Sequence, residues 1–148
     1  MASVLPAVGL LEPGTVLDVG SGNGSPGLVM ALLRDDLEVT LLEPRTRRWA
    51  FLREAVRRCG PGRAQVLRGR HDTYSGAPAD TVTLRALALP LAELAPLVAP
   101  GGRLVILGGR PVLEGPFEEE EGADHGRGDV HVFRRWTTDV SRGTPAGD

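Results

Sequence analysis

Cysteine occurs once in this chain, at Cys59, which excludes an intramolecular disulfide and a zinc site built from cysteines. Lysine is missing altogether, so Arg supplies all 17 basic residues. No apolar run approaches the roughly 18 residues that a membrane helix needs. Residues 1–13 are mildly apolar but carry no Arg ahead of the apolar stretch, which argues against a secretory signal. The three His, at 71, 125 and 131, are too scattered to form a ligand cluster. These absences lead us to expect a cytoplasmic protein with no membrane and no metal as partner, and they leave the oligomeric state open.

What remains suits one globular domain. The chain has 148 residues, of which 41% are apolar, enough for a single core. Its net charge of −2 carries no nucleic-acid signal, but the charges are segregated. Nine Arg lie between 45 and 70 against one acid, Glu54, and seven acids lie between 114 and 129 against one Arg. The Arg run reads either as a solvated helix face or as a phosphate-contacting patch, and the acidic segment could fold back on that flank.

Periodicity divides the chain into alternating elements. Strands are expected at 15–20, 38–43, 64–67, 80–84 and 103–107, each a short apolar run bounded by turn residues. Helices are expected at 28–34, 46–59 and 91–98; the second has apolar residues at 49, 50, 52, 55 and 56 and stops at Gly60. This alternation predicts an α/β fold of the Rossmann-like kind, a mostly parallel sheet flanked by helices. Residues 108–128 read as a loop, and 129–136 as a last strand, antiparallel at or near the sheet edge. The boundaries expected are a short N-terminal segment (1–14), the domain itself (15–136) and a frayed tail (137–148).

The informative stretch is Val16 to Glu43. A glycine-rich turn, Gly20 to Gly27, joins the first strand to a helix and lets a ligand approach the backbone. Glu43 ends the second strand, 23 residues after Gly20, where a carboxylate would accept the hydroxyls of a ribose. Residues 22–27 also match G-x-G-x-x-G, a weak signal by itself. Asp18, at the tip of the first strand, should oppose a pyrophosphate and suit a cationic ligand such as S-adenosylmethionine. The alternative reading of Asp18 is a cap for amides of the turn.

The run Leu17-Asp18-Val19-Gly20-Ser21-Gly22-Asn23-Gly24-Ser25-Pro26-Gly27-Leu28 resembles the guanine-N7 methyltransferases of small-subunit ribosomal RNA, also called the glucose-inhibited division protein B family, within the class I methyltransferases. Further motifs follow in order: Leu41-Leu42-Glu43 with Arg47 to Glu54, Gly69-Arg70-His71-Asp72, Arg85-Ala86-Leu87-Ala88, and Pro100 to Leu104. The resemblance implies an S-adenosylmethionine-dependent enzyme of ribosomal RNA or the small ribosomal subunit. It implies that Gly20, Gly22 and Gly24 shape the methionine end of the cofactor site, that Glu43 holds the ribose, and that His71 and Asp72 lie beside the adenine. Arg85 would stand at the active-site mouth as a substrate-contacting residue; read from the chain alone, an ion pair with Asp80 or Glu93 is equally open. Two features depart from the family: Leu107-Gly108-Gly109 replaces its L-K-G, and fourteen residues precede Thr15 where the family has a helical region. Methylation of another RNA or a small molecule, and a degenerate cofactor-binding domain without catalysis, are the other readings.

Overall fold

A computed structural model describes residues 4–60, 62–85, 89–109, 111–120 and 130–137. The elements run α1 (Val4–Leu10), β1 (Gly14–Val19), α2 (Gly27–Leu33), β2 (Leu37–Glu43), α3 (Thr46–Cys59), β3 (Ala64–Arg68), β4 (Ala79–Arg85), α4 (Leu91–Leu94), a 3-10 turn (Ala95–Leu97), β5 (Val98–Leu107), β6 (Phe117–Glu119) and β7 (Val130–Arg135). They form one seven-stranded sheet in the order β3-β2-β1-β4-β5-β7-β6. The first five strands in that order are parallel neighbours; β7 pairs antiparallel with β5 and with β6. The expected Rossmann-like architecture is observed.

The alternation of side chains along each strand sorts the core into two layers. On one face Val16, Val39, Leu41, Val105, Leu107 and Val132 meet α1, α2 and α3. On the other, Leu17, Leu42, Val82, Leu84, Leu104 and Ile106 meet α4 and the 3-10 turn, with Phe117 and Phe133 closing the far edge. Strand order reverses between β1 and β4, which run side by side with Asp18 opposite Thr83. The carboxyl ends of β1, β2 and β4 therefore converge at the switch point where open α/β sheets take their ligands.

Four elements differ from the expectation. The helix expected at 91–98 is one α turn (Leu91–Leu94) tightened into the 3-10 turn at Ala95–Leu97, where Pro96 falls. Helix α1 contains Pro6 and Gly9, poor helix formers, and gives no sequence signal. Remote side chains satisfy its end: Arg34 donates to the carbonyls of Val8 (2.9 Å) and Leu11 (3.1 Å), and Arg103 to that of Leu10 (2.9 Å). Ala7, Val8 and Leu11 are buried, so the segment before residue 15 belongs to the same core. Strand β5 starts at Val98 rather than 103, because a shift in register between Ala79↔Val98 and Thr81↔Arg103 accommodates Pro100-Gly101-Gly102 as a bulge. Within the expected loop 108–128, Phe117–Glu119 forms a short edge strand, its Glu118 opposite Arg134 of β7.

The acidic segment, as far as Glu120, does not reach the Arg-rich flank. Glu120 instead accepts from Arg103 (3.2 Å) and Arg134 (2.7 Å), which face each other across β5 and β7. Its carboxylate thus relieves a like-charge pair. Residues 121–129, the expected strand start at Asp129, Ala86 to Ala88 of the R-A-x-A motif, and the expected tail from 138 lie outside the described residues.

Gly27 sets how closely α2 lies on the sheet. A Cβ there would come within 2.4 Å of Leu41 Cδ2 and 2.5 Å of Asp18 Oδ2. Gly27→Ala should therefore destabilise the fold by about 1–3 kcal/mol, the scale for overpacking. Urea unfolding measures this, and an unchanged midpoint would show that the helix can move away freely.

Candidate functional site

A cleft of about 500 Å³ opens at the carboxyl ends of β1, β2 and β3, lined by Gly20, Glu43, Arg48, Gly69, His71 and Leu89 among others. A second groove of about 570 Å³ lies at the opposite, amino ends of the strands, lined by residues such as Thr15, Glu38 and Gln65. Only the first sits at the end of the sheet where a switch point places ligands.

The turn between β1 and α2 shapes one wall. Gly20, Gly22 and Gly24 have φ of 68°, 56° and 95°, a left-handed backbone that only glycine adopts without strain. The amides of this turn are largely spent within the protein. Gly20 and Ser21 donate to the carbonyl of Leu42, and Gly24 to that of Ser21. Ser25 donates to Asn23 Oδ1, and Leu28 to the carbonyl of Gly24. Gly22 donates to Glu43 Oε2 at 2.8 Å, and Gly27 to Asp18 Oδ2 at 3.2 Å. A phosphate cradle needs free N–H groups at a helix start. Here the first amide of α2 is already held by a carboxylate, so the turn disfavours a pyrophosphate.

This is a different route to the exclusion from the one read in the sequence. Asp18 does not line the cleft and so does not face a ligand across it. It is 1% exposed, and its Oδ1 accepts from the Thr83 hydroxyl at 2.7 Å. It is the cap of the turn that the alternative reading described. Burial raises its pKa from the ordinary 3.8 to about 6; the Thr83 and Ser21 hydroxyls and the Gly27 amide pull the other way, and the nearby Glu43 charge adds to the rise.

Glu43 stands where the sequence placed it. Its side chain is buried at the end of β2 and lines the cleft. It accepts from the amides of Gly22 (2.8 Å) and Arg45 (3.1 Å). Two carboxylate oxygens offer about four acceptor sites, so lone pairs remain for a ligand's hydroxyls. The backbone beyond it is tied in as well, since the Gly69 amide donates to the Glu43 carbonyl at 3.2 Å.

The other expected residues separate. Gly24 faces inward, where a Cβ would meet Leu28 and Leu52 at 3.0–3.4 Å, so it serves packing rather than the cleft wall. His71 lines the cleft and Asp72 does not: Asp72 is exposed and pairs with Arg70 at 3.5 Å. Arg85, at the end of β4, donates to the Ser25 hydroxyl of the turn at 2.8 Å. Neither anticipated ion pair forms, because Asp80 accepts from Thr15 (3.0 Å) and Glu93 meets His71 (2.9 Å).

Sequence reasoning missed Thr83, which β4 brings beside Asp18 from 65 positions away. It also did not assign Arg45 and Arg48 to the cleft, although their position just after Glu43 was a usable signal. The Arg run splits. Arg57 and Arg58 both bind Glu54 (2.6 and 3.0 Å), holding its carboxyl down to about 2, while Arg53 lies over the Trp49 ring. Arg45 and Arg48 are exposed at the cleft.

A family model described as rRNA small subunit methyltransferase G, GidB, matches residues 2–123. The chain belongs to this family. A ribosomal RNA small subunit methyltransferase G of Salinispora tropica is 47% identical over 132 residues, covering 79% of this chain and 54% of the relative. One of Streptomyces avermitilis is 48% identical over 113 residues, covering 72% and 44%. This member of the family thus spans about half the length of the curated relatives it matches. Among solved structures, the fold is shared with coclaurine N-methyltransferase bound to N-methylheliamine and SAH (TM-score 0.60, 19% identity, 68% of this chain and 32% of that one). It is shared also with the cyclopropane synthase MmaA2 of Mycobacterium tuberculosis (TM-score 0.60, 22% identity, 71% and 41%). Among the described residues no helix is long and apolar enough to cross a membrane.

The raised pKa of Asp18 predicts a pH signature. The folded state holds the proton more tightly than the unfolded chain, so this group's stabilising contribution is complete below pH 3.8 and is lost as pH rises through about 6. The stability difference between the native protein and Asp18→Asn should shrink by up to about 3 kcal/mol from pH 4 to pH 7, at 1.36 kcal/mol per unit. Urea unfolding of both proteins across that range checks it; a constant difference would mean that Asp18 is not desolvated.

Proposed function

We propose that this chain binds S-adenosylmethionine in the Glu43 cleft and transfers its methyl group to N7 of a guanine in small-subunit ribosomal RNA, in the cytoplasm. The observation that carries the reading is the buried Glu43 carboxylate with acceptor capacity to spare, beside a turn whose amides are occupied. That arrangement fits the ribose of a nucleoside without phosphates. The family relationship supports methyl transfer to ribosomal RNA as the reaction.

When bound, S-adenosylmethionine supplies a methyl group on a sulfonium, and guanine N7, which has a lone pair in its neutral form, accepts it without a general base. The protein's task is then alignment and exclusion of water, which in favourable cases is worth about 7–11 kcal/mol. Glu43 would hold the ribose hydroxyls, and Gly20 and Gly22 would let the methionine end lie against the backbone. Asp18 would act through the turn, by fixing the start of α2. Arg85 would contact the substrate from the end of β4, its guanidinium steadied by Ser25.

The second reading is a cofactor-binding domain that transfers nothing. It is favoured by Gly108, with φ of 76°, which stands where the family pattern has a Lys. The two readings separate in one experiment: incorporation of labelled methyl from S-adenosylmethionine into undermethylated small ribosomal subunits. We expect label in the small-subunit RNA at guanine N7. Cofactor binding without label would establish the second reading.

Glu43→Ala should weaken binding of S-adenosylhomocysteine by about 1–3 kcal/mol, the scale for hydrogen bonds to a charged group. Calorimetry measures this, and unchanged affinity would remove Glu43 from the site. If RNA phosphates meet the cleft rim, RNA affinity should fall steeply with salt. Replacing Arg45 and Arg48 with Gln should flatten that dependence more than replacing Arg57 and Arg58, whose charge is shared with Glu54. Equal effects of the two pairs would count against a contact at the rim.

A further inference from the structure

Methyl transfer to guanine N7, the reaction proposed above, sets a requirement beyond the cofactor cleft. N7 faces the major groove of a duplex, and in A-form RNA that groove is too deep and narrow for side chains to read. The target guanine has to come from a single-stranded or unstacked segment. A protein holds such a segment by offering ring faces to its bases and positive charge to its phosphates. The face of α3 beside the cleft carries both.

Phe51 is 55% exposed, whereas Phe117 and Phe133 are each 1% exposed. Among the described residues its ring has no ring or guanidinium partner. Trp49, on the other side of the helix, has its ring covered by Arg53 at 4.8 Å. Arg47 and Arg48 precede Phe51 by one helical turn, so the three share a face. Neither Arg has an ion pair among the described residues. The acid next along this face, Glu54, is already taken by Arg57 and Arg58.

The fold fixes this face against the site. Leu52, the next residue, is fully buried, and a Cβ on Gly24 would meet it at 3.4 Å, so α3 packs against the glycine-rich turn. Arg48 lines the cleft, and its Nη1 lies 3.6 Å from the place a Cβ on Gly22 would occupy. Arg85 reaches the same turn from β4, through Ser25 at 2.8 Å. The turn thus joins Arg85 to the α3 face.

We propose that Arg47, Arg48 and Phe51 form a platform on which an unpaired nucleotide of the RNA substrate stacks, beside the guanine that is methylated. The guanidinium groups meet its phosphates, and the Phe51 ring takes the face of its base. Every base has a π-face, so the platform selects single strands over duplex rather than a sequence. The inference deepens the reading above and rests on its RNA substrate.

The test measures binding of a short single-stranded oligoribonucleotide, and of the same strand in a duplex, to the full chain by fluorescence anisotropy over a range of salt. Phe51→Leu keeps an apolar side chain and removes the ring. It should weaken single-strand binding by about fivefold to a hundredfold, the scale for losing one stacked base, and leave the salt dependence and duplex binding as they are. Phe51→Trp should retain the native affinity. Arg47→Gln should instead flatten the salt dependence. Calorimetry with S-adenosylhomocysteine verifies that the Phe51 variants are folded. Undiminished single-strand binding by Phe51→Leu, or an equal loss on duplex, overturns the platform and leaves the RNA reading intact. Sedimentation that shows a native dimer lost in Phe51→Leu, with RNA binding unchanged, assigns the face to a second copy of the chain instead. A native chain that binds S-adenosylhomocysteine but no RNA overturns the platform together with the RNA substrate, and one that binds neither overturns the cofactor reading as well.

Discussion

The buried Asp18 carboxylate ties together three elements that would otherwise only lie side by side. Through Oδ1 it holds Thr83 on β4, and through Oδ2 it holds the first amide of α2. Burying an ionisable group among apolar strands is costly, and the raised pKa shows the cost. In return the helix start has a fixed position, and with it the glycine-rich turn. Gly27 is the steric counterpart of the same contact, because no side chain larger than hydrogen fits between Leu41 and Asp18. The placing of the turn beside the cleft depends on that closeness.

Glu43 works at the same turn from the opposite side. It takes the Gly22 amide, so the two carboxylates between them hold both ends of the glycine-rich segment. The result is a turn that presents conformation rather than hydrogen-bond donors to the cleft. That separates it from phosphate-binding turns of similar sequence, in which the amides point at the ligand. A match to G-x-G-x-x-G does not distinguish the two cases; the occupancy of the amides does.

The charge distribution has a similar lesson. Net charge and local Arg counts suggested a basic flank opposed by an acidic segment. Instead part of the flank is paired locally, Arg57 and Arg58 with Glu54 on the same helix, Arg63 with Asp35 and Arg70 with Asp72. The described part of the acidic segment serves β5 and β7, where it separates Arg103 from Arg134. What is left exposed at the cleft is a small set of guanidinium groups at the start of α3.

The sequence by itself determined the order of strands and helices from β1 to β5, because apolar runs and helical spacing are local properties that survive any arrangement in space. It determined the glycine-rich turn and the placing of Glu43 at the cleft, since turn, strand and acid lie within one βαβ unit. It also carried the family, through motifs in fixed order. Tertiary structure decided the rest, and each case has the same physical reason: the partner lies far away in the chain. Helix α1 depends on Arg34 and Arg103 to satisfy its last carbonyls. Strand β6 exists because β7 offers it an edge and Phe117 a place in the core. Asp18 turned from a ligand-facing charge into a buried cap because Thr83 stands beside it. His71 and Asp72, adjacent in sequence, parted because Glu93 holds one at the cleft and Arg70 holds the other in solvent.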